Sequence, residues 1–295
     1  MGAARAATLT LGLAIGWPVG AASADISIST DRTATNLSAH HGQLVWSRVA
    51  KDGRARLVRR VGGTNEDIRV PKKDGLFDPD TGTSHGGHQV IVYTRCAGAS
   101  GKGCDIWLYN EGTRREHKVG GAASATCSEF APSIWIGTVA FARSGPGSCP
   151  GLYVLRRGRV RRLDTRTPAQ TDVRGSRVAY LYTSAGDTSR TSVRMRSIYG
   201  GKSRRVVSGF ATDKESYRLT NPVFDGRFVH WLQEDRIRHE FFAGRGVVKR
   251  TSALEFTAQT FPGRVTSISV GDGNLYYANG RGVHQATNPG FAARD

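Results

Sequence analysis

The chain has 295 residues, and its 42 lysines and arginines outnumber 24 aspartates and glutamates for a formal net charge of +18. Hydrophobic residues make up 38%, and after the first two dozen positions no apolar run is long enough for a membrane helix, which excludes an integral helical membrane protein. The cationic balance favours anionic partners and is silent about fold.

Residues 1–24 read as an export signal. Arg5 supplies the positive start, "AATLTLGLAIGWPVGA" (6–21) the apolar stretch, and "ASA" (22–24) a small-residue cleavage site. The expected mature chain is 25–295, secreted or held in the cell envelope, monomeric, and long enough for one all-β domain. It begins with "DISIST" (25–30), which alternates like a half-buried strand.

Nowhere do apolar residues recur at helical spacing over three turns. Instead six short apolar runs follow a glycine turn: "GQLVWS" (42–47), "HQVIVYT" (88–94), "GTVAFARS" (137–144), "GSRVAYLYT" (175–183), "GRFVHWL" (226–232) and "GNLYYANG" (273–280). The turn glycines, Gly42, Gly87, Gly137, Gly175, Gly226 and Gly273, lie 38 to 51 residues apart. Around each run sit a short polar strand before it (a), and two strands after it (c and d). A period of 40–50 residues with four strands per unit is the signature of a β-propeller. Among the outer strands, "DIRVP" (67–71) is read as d of the first unit and "VVKRT" (247–251) as d of the fifth. The sixth unit lacks a strand d, and "DISIST" is expected to supply it and close a six-bladed ring.

Cys96, Cys104, Cys127 and Cys149 are even in number and match zinc spacing poorly, so two disulfides are expected. Count alone leaves three connectivities open. In a propeller, Cys96 with Cys104 and Cys127 with Cys149 would each pin loops on one face.

His40 and His41 fall in the a–b turn of blade 1, and His85 and His88 in that of blade 2; they are candidate ligands for zinc or copper, and no metal or other cofactor is expected. Ser84 in "GTSHG" (82–86) matches G-x-S-x-G but lies between two strands rather than at a strand–helix elbow. Asp78 and Asp80, at i and i+2, share a face of strand a, which lines the channel of a propeller; they are candidate channel ligands.

Charge is distributed unevenly. The c–d segments of blades 1 to 5 hold 23 basic and 6 acidic residues, whereas the rest of the mature chain holds 18 of each. The expected result is a basic rim, densest at Arg156, Arg157, Arg159, Arg161 and Arg162, and at Arg194, Arg196, Arg204 and Arg205. Such a rim suits cell-wall polyanions, acidic polysaccharide or a protein partner; sequence-specific nucleic-acid binding is not expected, because no recognised module is present.

"LTNPVFDGRFVHWL" (219–232) resembles the "LT…P-x-W-S-P-D-G-x-x-I-A-F" repeat of TolB-like propellers, and residues 77–119 resemble the same repeat with strands c and d attached. The resemblance implies a six-bladed β-propeller, here without the α/β domain that precedes the propeller in TolB. With no catalytic constellation and no sialidase Asp-box, a non-catalytic binding scaffold is the expectation. The alternative is a propeller glycoside hydrolase or polysaccharide lyase using channel carboxylates.

Overall fold

The six apolar runs form the second strands of six antiparallel sheets in a computed structural model that describes residues 25–97, 103–184, 187–211, 216–226, 228–236, 240–247, 259–261 and 263–287. Each sheet is packed between two neighbours, so its second strand is covered on both faces. That is why these runs are continuously apolar rather than alternating. Val90, Ile91, Val92 and Tyr93 are all fully buried. Six clusters of buried side chains result, one between each pair of consecutive blades around the ring. The protein is a six-bladed β-propeller.

The inner strands a are Thr35–His40, Asp80–Thr83, Ser128–Trp135, Gln170–Arg174, Ser216–Phe224 and Val265–Gly271. Strand a of blade 1 turns into strand b through His41 (φ 45°) and Gly42 (φ 72°). Two successive left-handed residues make the tight hairpin whose twist matches the flanking strands. The ring closes as the repeat implied: Ile26–Ser29 is the outermost strand of blade 6, paired antiparallel to Gly282–Gln285. Asp25 fastens it, accepting from the Tyr277 hydroxyl and the Thr287 N–H, and Arg60 of blade 1 donates to the Ile28 carbonyl at 3.0 Å.

Side chains hook the inner strands together from blade 6 through blade 1 to blade 5. Ser267 Oγ of blade 6 accepts the Leu37 N–H at 2.8 Å, and Ser38 Oγ of blade 1 accepts that of Thr81 at 3.0 Å. Asp80 Oδ2 of blade 2 accepts from Ile134 at 2.7 Å. Thr171 of blade 4 donates to the Ala131 carbonyl of blade 3 at 2.6 Å. Gln170 and Asp172 of blade 4 accept from Asn221 and Phe224 of blade 5. Two residues held by these hooks, Ala131 and Asn221, and Asn36, which precedes the hooked Leu37, begin β-bulges in blades 3, 5 and 1 with φ of 49°, 48° and 52°. A left-handed non-glycine residue costs about 1–3 kcal/mol and persists only where surrounding bonds impose it.

Two outer strands differ from expectation. In blade 1 strand d is Thr64–Asp67 rather than 67–71. Ile68 leaves the sheet because its side chain tucks into the core between blades 1 and 2, its N–H bonding Leu57 O at 2.9 Å. In blade 5, Val247 ends strand c, residues 248–251 lie outside the described residues, and the outer strand is Gln259–Thr260. Blade 5 also gains an extra short strand, Phe210–Ala211, beside its strand a.

Both expected disulfides are present. Cys96–Cys104 joins directly opposed residues where strands b and c of blade 2 meet their loop. Cys127–Cys149 ties the approach to blade 3 to its b–c loop, Cα atoms 5.6 Å apart. Each closure contributes about 2–4 kcal/mol by the chain-entropy account. Among the described residues no helix is long and apolar enough to cross a membrane.

Beside the second bridge, Glu129 has no accessible surface. Arg143 donates to its Oε1 at 3.0 Å, while among the described residues Oε2 has no hydrogen-bond partner. Burial, outweighing the Arg143 charge, pushes this carboxyl up to about 7 from 4.5. The folded protein therefore holds the proton more tightly than the unfolded chain. Stability from this group is full below about pH 4.5 and is lost as pH rises through 7. In melts from pH 4.5 to 8, Glu129→Gln should flatten this decline and be the more stable protein at pH 8, by about 1–3 kcal/mol. Parallel curves for the two proteins would contradict this.

Candidate functional site

Two regions collect the residues that the sequence singled out. The first is the central channel, a cavity of about 310 Å3 walled by the inner strands of all six blades. Asp78 and Asp80 both reach it, in different roles. Both oxygens of Asp78 are engaged: Oδ1 accepts the Thr94 N–H at 2.8 Å, and Oδ2 accepts the Thr94 hydroxyl at 2.6 Å and the Ala131 N–H at 2.9 Å. It is a clamp between blades 2 and 3. Asp80 is enclosed by protein yet keeps some surface toward the channel; Oδ1 takes the Ser38 hydroxyl at 2.6 Å and Oδ2 the Ile134 N–H. Burial raises the Asp80 carboxyl to about 6 against those hydrogen bonds. Asp172 lines the same cavity from blade 4, and burial, then the Asp80 charge, raise its carboxyl well above the ordinary range. Sequence reasoning missed Asp172 because strand a of blade 4 has no apolar signature. The available signal was Gln170 and Asp172 at i, i+2, the same spacing as Asp78 and Asp80.

His40 and His41 lie edge to face, their ring centroids 4.1 Å apart. His40 is buried at the end of strand a of blade 1, edge-on to Trp135 of blade 3 with ring centroids 5.3 Å apart. Burial, with His41 and Arg174 nearby, lowers its imidazole to about 4, so it is neutral at physiological pH. His85 packs against Gly137 of blade 3, where an added Cβ would sit 2.4 Å from its ring. His88 is exposed. Among the described residues no group of three or more His, Cys, Asp or Glu side chains could hold a metal ion. Ser84 is a turn residue, its N–H bonding His88 O and its hydroxyl accepting the His88 N–H at 3.2 Å. Gly82 is glycine because a Cβ there would lie 2.5 Å from the Ile134 carbonyl of the next blade.

The second region is the rim, whose charge is far from uniform. Blades 1 and 2 largely neutralise their own cations. Asp67 pairs Arg48 at 2.7 Å and Arg56 at 2.9 Å, and Arg59 lies between Glu66 and Glu111. Arg95 pairs Glu116 at 2.6 Å and Lys118 pairs Asp105 at 2.7 Å. Segments 151–163 and 192–208 carry ten arginines and lysines and no acid. Between these two segments, Arg162, Arg166, Arg194, Arg196 and Lys202 line an open cleft around one carboxylate, Asp164. Burial alone would raise Asp164, but hydrogen bonds from the Arg166 side chain and N–H and from Tyr180 hold it at about 2. It is therefore always ionised at physiological pH and fixes Arg166 and Arg196 by ion pairs of 3.0 and 3.5 Å. The cleft keeps an excess of four positive charges.

Of the expected rim residues, Arg162, Arg194 and Arg196 thus converge. Arg156, Arg157 and Arg159 lie at the c–d turn of blade 3 and Arg161 on the strand that follows, and two of them reach Tyr199 of blade 4, which is 57% exposed. The Arg156 guanidinium is 5.1 Å from that ring, and Arg161 donates to the Tyr199 carbonyl at 2.6 Å. Arg204 and Arg205 project from the outer strand of blade 4. Lys202 lies inside the charge-rich segment 192–208, whereas Arg166 was not anticipated; it follows strand d, just beyond the segment whose charge stood out.

No family model matches the sequence, and no curated protein matches it. Among solved structures the chain is similar to a puromycin-hydrolysing peptidase of Mycobacterium tuberculosis, with 12% identity over 88% of this chain and 52% of that one, at a TM-score of 0.53. It is similar to an oligogalacturonate lyase of Vibrio parahaemolyticus, with 12% identity over 88% and 80% of the two chains and a TM-score of 0.51. TolB of Acinetobacter baumannii is also among its structural neighbours, at 13% identity over 74% and 55%, with a TM-score of 0.45. The chain spans about half the length of the peptidase and of TolB. At these identities the likeness is one of fold.

Proposed function

We propose that this protein is an extracytoplasmic, non-catalytic binding propeller that captures anionic polymers on its rim at the cleft between blades 3 and 4. The observation that carries this reading is the cleft itself, where five cations gather around one carboxylate. Counter-ions released from a polyanion drive such binding, so affinity depends steeply on salt. The export signal read at 1–24 and the two disulfides suit an oxidising compartment. Tyr199, exposed beside Arg156, adds a flat surface on which a sugar ring can lie. The hydrolase or lyase alternative has less support, because Asp78 is committed to three hydrogen-bond donors and Asp80 to the Ser38 hydroxyl and the Ile134 N–H.

The test uses heparin as the probe polyanion. Replacing Arg162, Arg194, Arg196 and Lys202 together by alanine should weaken binding at least about 10-fold at low salt and reduce the slope of log affinity against log salt. Replacing Arg48 and Arg56 of blade 1, which already share Asp67, should change neither. Equal loss from both sets, or affinity that ignores salt, would defeat the proposal.

A further inference from the structure

The cleft between blades 3 and 4 does not stop at Arg162. One residue earlier on the outer strand of blade 3, Arg161 crosses to blade 4 and donates to the Tyr199 carbonyl at 2.6 Å. Gly200 makes the crossing possible: its φ is 100°, and a Cβ there would lie 2.5 Å from the Arg161 guanidinium. Gly201, the next residue, already lines the cleft. The c–d turn of blade 4 therefore continues the cleft, and it presents Tyr199 with the Arg156 guanidinium 5.1 Å from its ring. Among the described residues Tyr199 is the one aromatic side chain that is exposed. At the far end of the cleft, Arg166 and Arg194 lie 5.0 and 5.7 Å from the Tyr182 ring. Arg166 donates twice to Asp164, from Nε at 3.1 Å and from Nη2 at 3.0 Å. Tyr182 pairs with Ser192 on strand c of blade 4, and Ser197 ends that strand beside the Tyr199 turn. From Ser192 to Ser197 a strand advances roughly 17 Å, so the path from Arg166 to Tyr199 crosses the rim from one face toward the other.

We propose that the polyanion taken by this rim is an acidic polysaccharide, and that its chain lies across the rim, parallel to the outer strands, with one sugar ring on Tyr199. This rests on the rim reading above and narrows it to polymers built of rings. A tyrosine ring offers a rigid apolar face that matches the C–H face of a pyranose, and Arg156 beside it meets an acidic substituent on the same sugar. Along the rest of the path the arginines are already in place. Asp164 fixes Arg166 and Arg196, and the Tyr199 carbonyl fixes Arg161. Their forks are therefore aimed at carboxylate or sulfate oxygens before the ligand arrives, and little side-chain freedom is lost on binding. A linear phosphate polymer would use the same charges and gain nothing from the exposed ring. Single-stranded nucleic acid wants a succession of aromatic platforms for successive bases. This path has one exposed ring, because Tyr182 is half-buried beneath two arginines.

Calorimetry at one low salt concentration tests this, with heparin disaccharide, heparin hexasaccharide, inorganic polyphosphate and oligothymidylate as probes. The hexasaccharide, long enough to follow the path, should bind at least about 10-fold more tightly than the disaccharide. Tyr199→Ala keeps the carbonyl that Arg161 reaches, and so the turn. It should weaken the hexasaccharide about 5-fold and leave polyphosphate unchanged, while Tyr199→Phe, which keeps the ring, should bind the hexasaccharide as the parent does. Hexasaccharide affinity unchanged in Tyr199→Ala, an equal loss for polyphosphate, or a disaccharide that binds as tightly as the hexasaccharide would overturn the proposal. So would oligothymidylate that binds more tightly than the hexasaccharide and depends on Tyr199, which would make the ligand a nucleic acid. Any of these outcomes leaves the rim reading standing as long as replacing Arg162, Arg194, Arg196 and Lys202 still weakens heparin and polyphosphate. If that replacement has no effect on either polymer, the rim reading itself has failed.

Discussion

Asp78→Ala should destabilise the propeller by about 3–5 kcal/mol, more than any single surface change, without removing an apolar group. The carboxylate accepts three donors, the N–H and hydroxyl of Thr94 and the N–H of Ala131. Thr94 and Ala131 are buried, so alanine leaves their donors with no replacement partner. Ala131 also sits at φ 49°, a conformation that this bond helps to impose. Losing the clamp removes a reason for the bulge as well as a hydrogen bond. Asp78→Asn retains one acceptor oxygen and should cost roughly half as much. Urea unfolding of the three proteins gives the numbers; a loss under 1 kcal/mol for the alanine variant would show that the channel lining repacks around the gap.

Deleting residues 25–30 is expected to lower the melting temperature by about 10 °C, the shift that a loss of about 3–5 kcal/mol gives in a chain of this size. The segment contributes a ladder to Gly282–Gln285, the Asp25 bonds to Tyr277 and Thr287, and the carbonyl that Arg60 reaches from blade 1. Without it, the third strand of blade 6 becomes an open edge, and the shortened protein should self-associate through it. A synthetic peptide of sequence DISIST, added in trans, should restore part of the lost stability by pairing with that edge. Unchanged melting and no response to the peptide would mean that blade 6 is held by its packing against blades 5 and 1 alone.

The second strands were legible because burial on both faces leaves a continuous apolar run, and six of them at a near-constant interval imply the ring. Outer strands were harder to place. Thr64–Asp67 is wholly exposed and carries no pattern, while the apolar Ile68 nearby drew the expected strand toward itself. Asp78 shows what spacing leaves out: it puts a carboxylate on the channel, but only the fold reveals that Thr94 and Ala131 occupy it. Charge behaved similarly. Segment totals flagged the rim, yet the ion pairs that cancel blades 1 and 2 join residues far apart in sequence, such as Arg59 and Glu111. Asp172 and Arg166 were hidden because neither lies in an apolar run or a charge-rich segment.

The hooks along the channel alternate. Blades 2 and 4 present paired acceptors two residues apart, Asp78 with Asp80 and Gln170 with Asp172. The blades that follow each of these, 3 and 5, present a left-handed residue and, three positions on, a second N–H donor. Blade 1 has the same left-handed start at Asn36, next to Leu37, which donates to Ser267 of blade 6. Although the sequence repeats once per blade, the innermost ring repeats once per two. The ring therefore has a parity. Inserting or removing a single blade would set acceptor against acceptor or donor against donor at one junction, whereas a change of two would restore the match. Engineered rings of four or eight blades built from this chain should fold more readily than rings of five or seven.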